Sequence, residues 1–377
     1  MLNDEERGRY ARHLMLPMFG MEGQLRLKRS SALLVGTGGL GSPAALYLAA
    51  AGVGHLGLVD FDVVDASNLQ RQIAHASSTL GMRKTESASL RLHDLNPFID
   101  ITTHDVRLDA SNALDVLRPY DVIIDGTDNF PTRYLTNDAS VLLSKPLVYA
   151  SIFRFEGQAT VFAPHLGAPC YRCIYPTPPP PELVPNCAEA GVLGVLPGVL
   201  GTVQATEAIK LLAGIGEPLI GRLLLYDALA MQFSELRLRR DERCPLCGTA
   251  PTIDALIDYE LFCGVPRAVE GDPSLLSPAA VAAWIAQPDR PLLLDVRELD
   301  EWDAAHLPDA RRISVKVLAE RLDELDPVQP VIVYCRSGAR SARAAALLRD
   351  AGFTQVFDMA GGILAWATTV DTAMHPI

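Results

Sequence analysis

The sequence predicts an α/β protein made of two successive α/β units, each built on a mostly parallel sheet. Three observations predict it. Short apolar strand-like runs alternate with helix-like runs, a glycine-rich turn joins one such strand to the helix after it, and a second alternation begins near residue 271. At 377 residues the chain has room for two or three domains, each with its own core.

The first strand is read at 31–36 (SALLVG), followed by Gly36-Thr37-Gly38-Gly39-Leu40-Gly41. Ser42-Pro43 then reads as a helix N-cap and first helical residue, and the helix stops at Gly52. The next strand is GHLGLVD (54–60), and a later apolar run, DVIIDGTDN (121–129), ends in polar residues. Parallel sheets of this kind place their sites at the carboxyl ends of the strands. YPTPPPPELVP (175–185) cannot hold regular structure and reads as a mobile loop. The second unit reads as a helix (277–286), two strands (292–297 and 331–335) and a helix (341–352). The expected division is 1–248, a linker at 249–272, and 273–377, with no internal repeat.

Apolar residues make up 49% and charged residues 21%, an ordinary globular profile. A formal net charge of −12 argues against a nucleic-acid partner. The start, MLNDEERGRY, has no apolar signal region, and the apolar stretches are broken well short of a membrane span. The expectation is a cytoplasmic chain with no membrane partner. Its seven cysteines then point to metal or catalysis before disulfides.

The glycine run fits a strand–turn–helix phosphate cradle, in which backbone N–H groups meet an anion. Asp60, ending the next strand, sits where a ribose-binding acid belongs. On those features alone NAD is the ordinary reading. Asp62, Asn68, Gln70, Arg71 and Lys84 change it, because a triphosphate needs cations for its oxygens and for leaving pyrophosphate. Asp128 is then placed for Mg²⁺. Cys170-Tyr-Arg-Cys173 and Cys244-Pro-Leu-Cys247 are two C-x₂-C pairs, which together make a closed Cys₄ zinc site; a redox motif is the alternative for a lone pair. Cys187, in PNCAEAGVLG, reads by itself as a buried inert thiol.

Cys335 ends VIVYC and opens Cys335-Arg336-Ser337-Gly338-Ala339-Arg340 before a helix. Such a loop aims N–H groups and the positive helix end at the sulfur, and Arg336 and Arg340 add charge toward an incoming anion. Protein phosphatases use a similar cradle with a longer loop; here four residues separate Cys335 from Arg340.

RYARHL (9–14), FDVVDASNLQRQ (61–72), Lys84 and DGTDN (125–129) closely resemble the MoeB/ThiF adenylyltransferases, relatives of ubiquitin-activating enzymes, over about residues 5 to 262. That resemblance implies a Rossmann-like, ubiquitin-activating-type adenylation fold. It implies that Gly39, Asp60, Ser67, Asn68, Leu69, Gln70, Arg71, Lys84, Asp128 and Asn129 contact ATP, with Asp128 at the magnesium. The four paired cysteines match the family's zinc ligands. Arg12 would be an arginine finger reaching into the partner subunit's site in a homodimer, a solvated helix charge being the alternative. Cys187 resembles a crossover-loop cysteine that attacks the carrier's acyl-adenylate, and Cys263 falls in a linker motif with no chemistry assigned. The tight Cys335 loop, DVRELDEWDAAHLPDA (295–310) and DMAGGILAW (358–366) resemble single-domain rhodaneses, which carry sulfur as a cysteine persulfide; Asp295, His306 and Trp366 read as scaffold. Both halves in this order resemble fused MoeB–rhodanese enzymes. The resemblance implies a ubiquitin-like sulfur carrier ending in Gly-Gly (MoaD, ThiS or CysO type) as partner, and a cysteine desulfurase or thiosulfate as sulfur donor. An NAD(P)-dependent oxidoreductase fused to a sulfur-carrier domain, and a non-catalytic carrier-docking protein, are the rival readings.

Overall fold

The computed structural model describes residues 1–179, 191–263, 272–336 and 338–374, in two compact units, Met1–Cys263 and Gly264–Ile377. In the first unit an eight-stranded sheet runs in the order β3 (Asp100–His104), β2 (His55–Val59), β1 (Ser31–Val35), β4 (Val122–Asp125), β5 (Leu147–Phe153), β6 (Glu156–Phe162), β7 (Arg222–Asp227), β8 (Gln232–Arg237). The pairs from β3 to β5 are parallel, and those from β5 to β8 antiparallel. All five residues of β1 are buried, because helices cover both faces. Ala32 and Leu34 face a core shared with helix Gly41–Ala51, whereas Leu33 and Val35 face one shared with helix Phe130–Leu142. The helices that follow β1 and β4 therefore leave to opposite faces, and a crevice opens between those strand ends.

The helix after the glycine run starts at Gly41, one residue before the Ser42 cap expected from sequence. Ser42 is buried inside it, and its hydroxyl donates to the Thr37 carbonyl at 3.1 Å, which closes the loop from within. A Cβ on Gly41 would stand 1.9 Å from the Gly36 carbonyl oxygen, so only glycine permits that turn. Gly52 ends the helix in the left-handed conformation, as expected.

Residues 249–263, expected as linker, belong to the first unit. Tyr259 and Cys263 are buried in its second core, and burial pushes the Cys263 thiol up to about 11. Helix Phe130–Leu142 fixes this segment through a buried ion pair. Arg172 Nε and Nη2 donate to the Asp138 carboxylate at 2.7–3.0 Å, and the Tyr259 hydroxyl donates to Asp138 Oδ2 at 2.8 Å. Asn137 Oδ1 accepts from the Tyr171 backbone N–H at 2.8 Å, so one helix turn holds both residues between Cys170 and Cys173.

The second unit is a five-stranded parallel sheet in the order β11 (Arg311–Arg312), β10 (Leu292–Asp295), β12 (Val331–Tyr334), β13 (Val356–Met359), β9 (Leu275–Leu276). Val331, Val333 and Cys335 feed one core and Ile332 and Tyr334 the other. Helix Pro278–Ile285 is capped by Ser277, and helix Ala339–Asp350 begins just past Cys335.

Replacing Arg172 by Leu strands the Asp138 carboxylate without its counter-charge in the core. Such losses cost about 3–5 kcal/mol. Chemical denaturation should show the first unit destabilised by that order, and a midpoint unchanged from wild type would refute the anchoring role.

Candidate active sites and a cysteine cluster

The crevice holds a cavity of about 200 Å³. Gly38, Gly39, Asp60, Arg71, Lys84, Asp128 and Asn129 all line it, so residues from five separated segments converge. Asp60 is braced from the glycine loop: its Oδ2 accepts from the Thr37 N–H at 2.9 Å and the Thr37 hydroxyl at 3.1 Å. A carboxylate held in that way presents acceptor lone pairs to neighbouring hydroxyls. Lys84 opens helix Lys84–Leu95, is 7% exposed, and pairs with the half-exposed Asp62 at 2.8 Å. Asn129 caps helix Phe130–Leu142, its Oδ1 accepting from the Thr132 N–H at 3.0 Å, and the exposed Asp128 precedes it. An exposed carboxylate at a cavity wall suits a magnesium that also holds phosphate oxygens.

The 67–71 segment divides. Arg71 lines the cavity, and its Nη1 donates to the Ser67 carbonyl at 3.1 Å. Ser67 and Asn68 form a short turn capped by Asp65, and Gln70 lies against Gly194. Neither they nor Leu69 are among the cavity-lining residues. Among these residues Ser67 and Asn68 hold Arg71, the Asn68 carbonyl accepting from the Arg71 N–H at 3.1 Å. Arg12 is exposed on helix Ala11–Leu14 and does not line the cavity. Cys187 and Ser337 lie outside the described residues.

Two groups went unread in the sequence. Arg133 lines the cavity although largely buried, Asp125 is fully buried nearby, and Arg133 Nη2 donates to the Thr127 carbonyl at 3.1 Å. Asp125 Oδ1 takes both the Thr127 N–H and hydroxyl, while burial outweighs the charge of Arg133 and raises its carboxyl pKa. His75 is buried between Ser87 Oγ at 3.0 Å and the Thr37 carbonyl at 3.1 Å, behind the glycine loop. Its pKa is lowered by burial and by nearby Lys84.

The four paired cysteines come together from distant segments. Their sulfurs lie within 4.8 Å of one another, with the Cys170–Cys173, Cys170–Cys244 and Cys173–Cys247 pairs at 3.9, 3.6 and 3.4 Å. An ion with metal–sulfur bonds of about 2.3 Å spaces tetrahedral ligands about 3.8 Å apart. All four are free thiols, and Cys170, Cys244 and Cys247 are buried. The cluster fits zinc.

In the second unit Cys335 is buried at the carboxyl end of β12, and its sulfur accepts the Gly338 N–H at 3.1 Å. Gly338 has φ of +105°, which turns that N–H inward. The Cys335 carbonyl accepts from Ile363 N at 2.8 Å, and a Cβ on Gly362 would stand 2.4 Å from it. The paired glycines of DMAGGILAW thus let a helix end dock under the loop. Asp295 and Arg297 form a fully buried ion pair, and Arg297 Nη2 also donates to the Ala305 carbonyl at 2.7 Å. Trp366 is core, and His306 stacks on Trp302 with ring centroids 3.9 Å apart. Arg340 is held by Glu301 rather than aimed at the sulfur alone.

The ThiF family model matches residues 10–246, and the rhodanese-like domain model residues 277–369. Over 383 residues the chain is 47% identical to "Probable adenylyltransferase/sulfurtransferase MoeZ" of Mycobacterium tuberculosis strain H37Rv, covering 99% of this chain and 96% of that one. The chain belongs to the ThiF family, in its rhodanese-fused form. This ThiF–rhodanese protein is also 44% identical to "Adenylyltransferase and sulfurtransferase MOCS3" of Drosophila sechellia, over 98% of this chain and 85% of that one. It is an adenylyltransferase and sulfurtransferase. In fold alone it is similar to E. coli MccB solved with ATP, with a TM-score of 0.58 and 22% identity over 65% of this chain and 75% of that chain. No helix among the described residues is long and apolar enough to cross a membrane.

His75 gives the ThiF unit a pH dependence of known sign. Its folded pKa lies below its unfolded value of 6.5, so below that pH the unfolded chain binds a proton that the fold refuses. The contribution is complete above pH 6.5 and is lost as pH falls. His104 and His165 shift the same way. Thermal midpoints measured from pH 7.5 down to about 5.5 should therefore fall. His75→Gln should flatten that slope, and an unchanged slope would mean that His75 is not held neutral.

Proposed function

We propose that this chain uses ATP to adenylate the C-terminal glycine of a ubiquitin-like sulfur carrier. It then delivers sulfur from a persulfide on Cys335 to give the carrier's thiocarboxylate. The observation that carries this reading is the composition of the crevice. A braced acid (Asp60), two cations (Arg71 and Lys84) and a peripheral acid (Asp128) share one cavity in a chain that also cradles Cys335 beneath an N–H. A nicotinamide site needs no such cation pair beyond its ribose acid.

In the first step Asp60 accepts the ribose hydroxyls, and the glycine-loop N–H groups with Arg71 and Lys84 take the phosphates. Lys84 trades Asp62 for phosphate oxygens. Asp128 would hold a magnesium, which when bound spreads the charge of the triphosphate. The carrier carboxylate attacks the α-phosphorus and pyrophosphate leaves, so a poor electrophile gains AMP as leaving group. Arg12 supplies charge to the partner subunit's site in a homodimer. In the second step the terminal persulfide sulfur attacks the acyl carbon and expels AMP, leaving an acyl disulfide to Cys335. A thiol then takes the Cys335 sulfur into a new disulfide and frees the thiocarboxylate; in the route through Cys187, its thiolate attacks the acyl-adenylate first and expels AMP, and the persulfide sulfur then displaces Cys187 from the resulting thioester. The sulfur donor is a cysteine desulfurase or thiosulfate. The zinc held by Cys170, Cys173, Cys244 and Cys247 is structural, since four protein ligands leave no open position.

Asp128→Ala should abolish carrier-dependent ATP–pyrophosphate exchange while leaving thiosulfate:cyanide sulfur transfer intact. Undiminished exchange would remove Asp128 from the magnesium site. Metal analysis of purified protein should find one zinc per chain, with serine at any of the four cysteines lowering the thermal midpoint more than the sulfur-transfer rate. Metal-free, folded protein with disulfides at these pairs would contradict the assignment.

A further inference from the structure

The two arginines of the Cys335 loop differ in what they have left to offer a ligand. Arg340 gives both terminal nitrogens to Glu301, Nη1 to Oε2 at 2.6 Å and Nη2 to Oε1 at 2.7 Å, in a largely buried pair. Glu301 is itself fixed. Its Oε2 accepts from the Glu298 N–H at 3.2 Å, and its carbonyl accepts from Arg297 Nη1 at 3.2 Å, which ties it to the buried Asp295–Arg297 pair. Burial raises the Glu301 pKa, but the hydrogen bonds and charge of Arg340 outweigh it and hold the carboxyl below its ordinary value. Glu301 is therefore ionised throughout the neutral range. Arg336 differs: its Nε is buried with no hydrogen-bond partner among the described residues, and it has no ion pair there. A loop that reads as doubly cationic carries one compensated and one uncompensated arginine.

We propose that Glu301 sets the sulfur-donor preference of this unit. By cancelling Arg340 it leaves Arg336 as the loop cation that meets the donor. A free dianion such as thiosulfate is then a poor source beside a persulfide sulfur carried on a thiol, which brings a single charge. Glu301 touches neither donor nor Cys335; it acts through Arg340 and is a positioning residue. The inference rests on Cys335 being the sulfur-carrying cysteine.

Thiosulfate is the probe that separates charge from structure. The Cys335 thiolate attacks the outer sulfur, the S–S bond of thiosulfate breaks, and sulfite leaves with the electron pair. Cyanide then removes the sulfur as thiocyanate and restores the thiolate. Assayed in the full chain, Glu301→Gln should lower the KM for thiosulfate by about tenfold, the order expected when a close opposing charge is removed from a largely buried cation. Its kcat should change by less than about threefold, and the gain should shrink as salt is raised. The double variant Glu301→Gln with Arg340→Gln should lose the gain, because both charges have gone. An unchanged or raised KM in Glu301→Gln would overturn the proposal. If that single variant does not fold, the charge-balanced double variant carries the test: a KM tenfold above wild type would mean that Arg340 itself binds the donor. Intact mass keeps the two levels apart. Wild-type protein that takes up no sulfur from thiosulfate at Cys335, with Cys335→Ser no less active, would remove the persulfide reading and this inference together. A persulfidated wild type with an indifferent Glu301→Gln would remove this inference alone.

Discussion

A parallel strand whose two neighbours are joined to helices on opposite faces cannot be covered at its carboxyl end, and both units put their chemistry there. In the first unit the exposed ends are those of β1 and β4. Helix Gly41–Ala51 takes one face and helix Phe130–Leu142 the other, which leaves the glycine loop, Asp60 and Asp128 around one cavity. In the second unit Cys335 ends β12, between β10 and β13. The apolar cores fix the strands, and the strands fix the loops. The reactive groups need little local structure of their own beyond glycine where the backbone must turn.

What the sheets do not fix is held by buried charge. Asp138–Arg172 joins a helix, a cysteine pair and the end of the first unit, and Asp295–Arg297 joins a strand end to helix Leu299–Ala304, which carries Glu301. Burying such pairs adds little net stability, because desolvation offsets most of the attraction. Their effect is on geometry. Each arginine keeps a fixed set of donors, and Arg297 spends its spare ones on the carbonyls of Glu301 and Ala305. The cysteine cluster performs the same task in the ThiF unit with sulfur in place of charge, drawing in a segment far along the chain.

The features legible in the sequence are those in which one residue type suffices at a stated place: glycines at a sharp turn, an acid at a strand end, paired cysteines, a cysteine between strand and helix. Features that depend on which side chains meet were not legible. Arg172 finds Asp138 34 positions away, Tyr259 finds the same carboxylate 121 positions away, and Arg340 finds Glu301 across 39. No periodicity announces such pairs, since the topology makes them. The same holds for Ser42, whose position before proline reads as a cap until the loop folds back and offers the Thr37 carbonyl. Residues 249–263 read as linker because no regular strand or helix period runs through them, yet Tyr259 and Cys263 reach the core.

The central claim is that one chain first activates a carrier carboxylate and then supplies its sulfur from Cys335. Intact mass of a Gly-Gly-terminated carrier, incubated with the full chain, ATP and a persulfide donor with free sulfide excluded, tests it most directly. The account predicts a thiocarboxylate with wild-type protein, and with Cys335→Ala an adenylated carrier that goes no further. A full yield of thiocarboxylate from Cys335→Ala would contradict it.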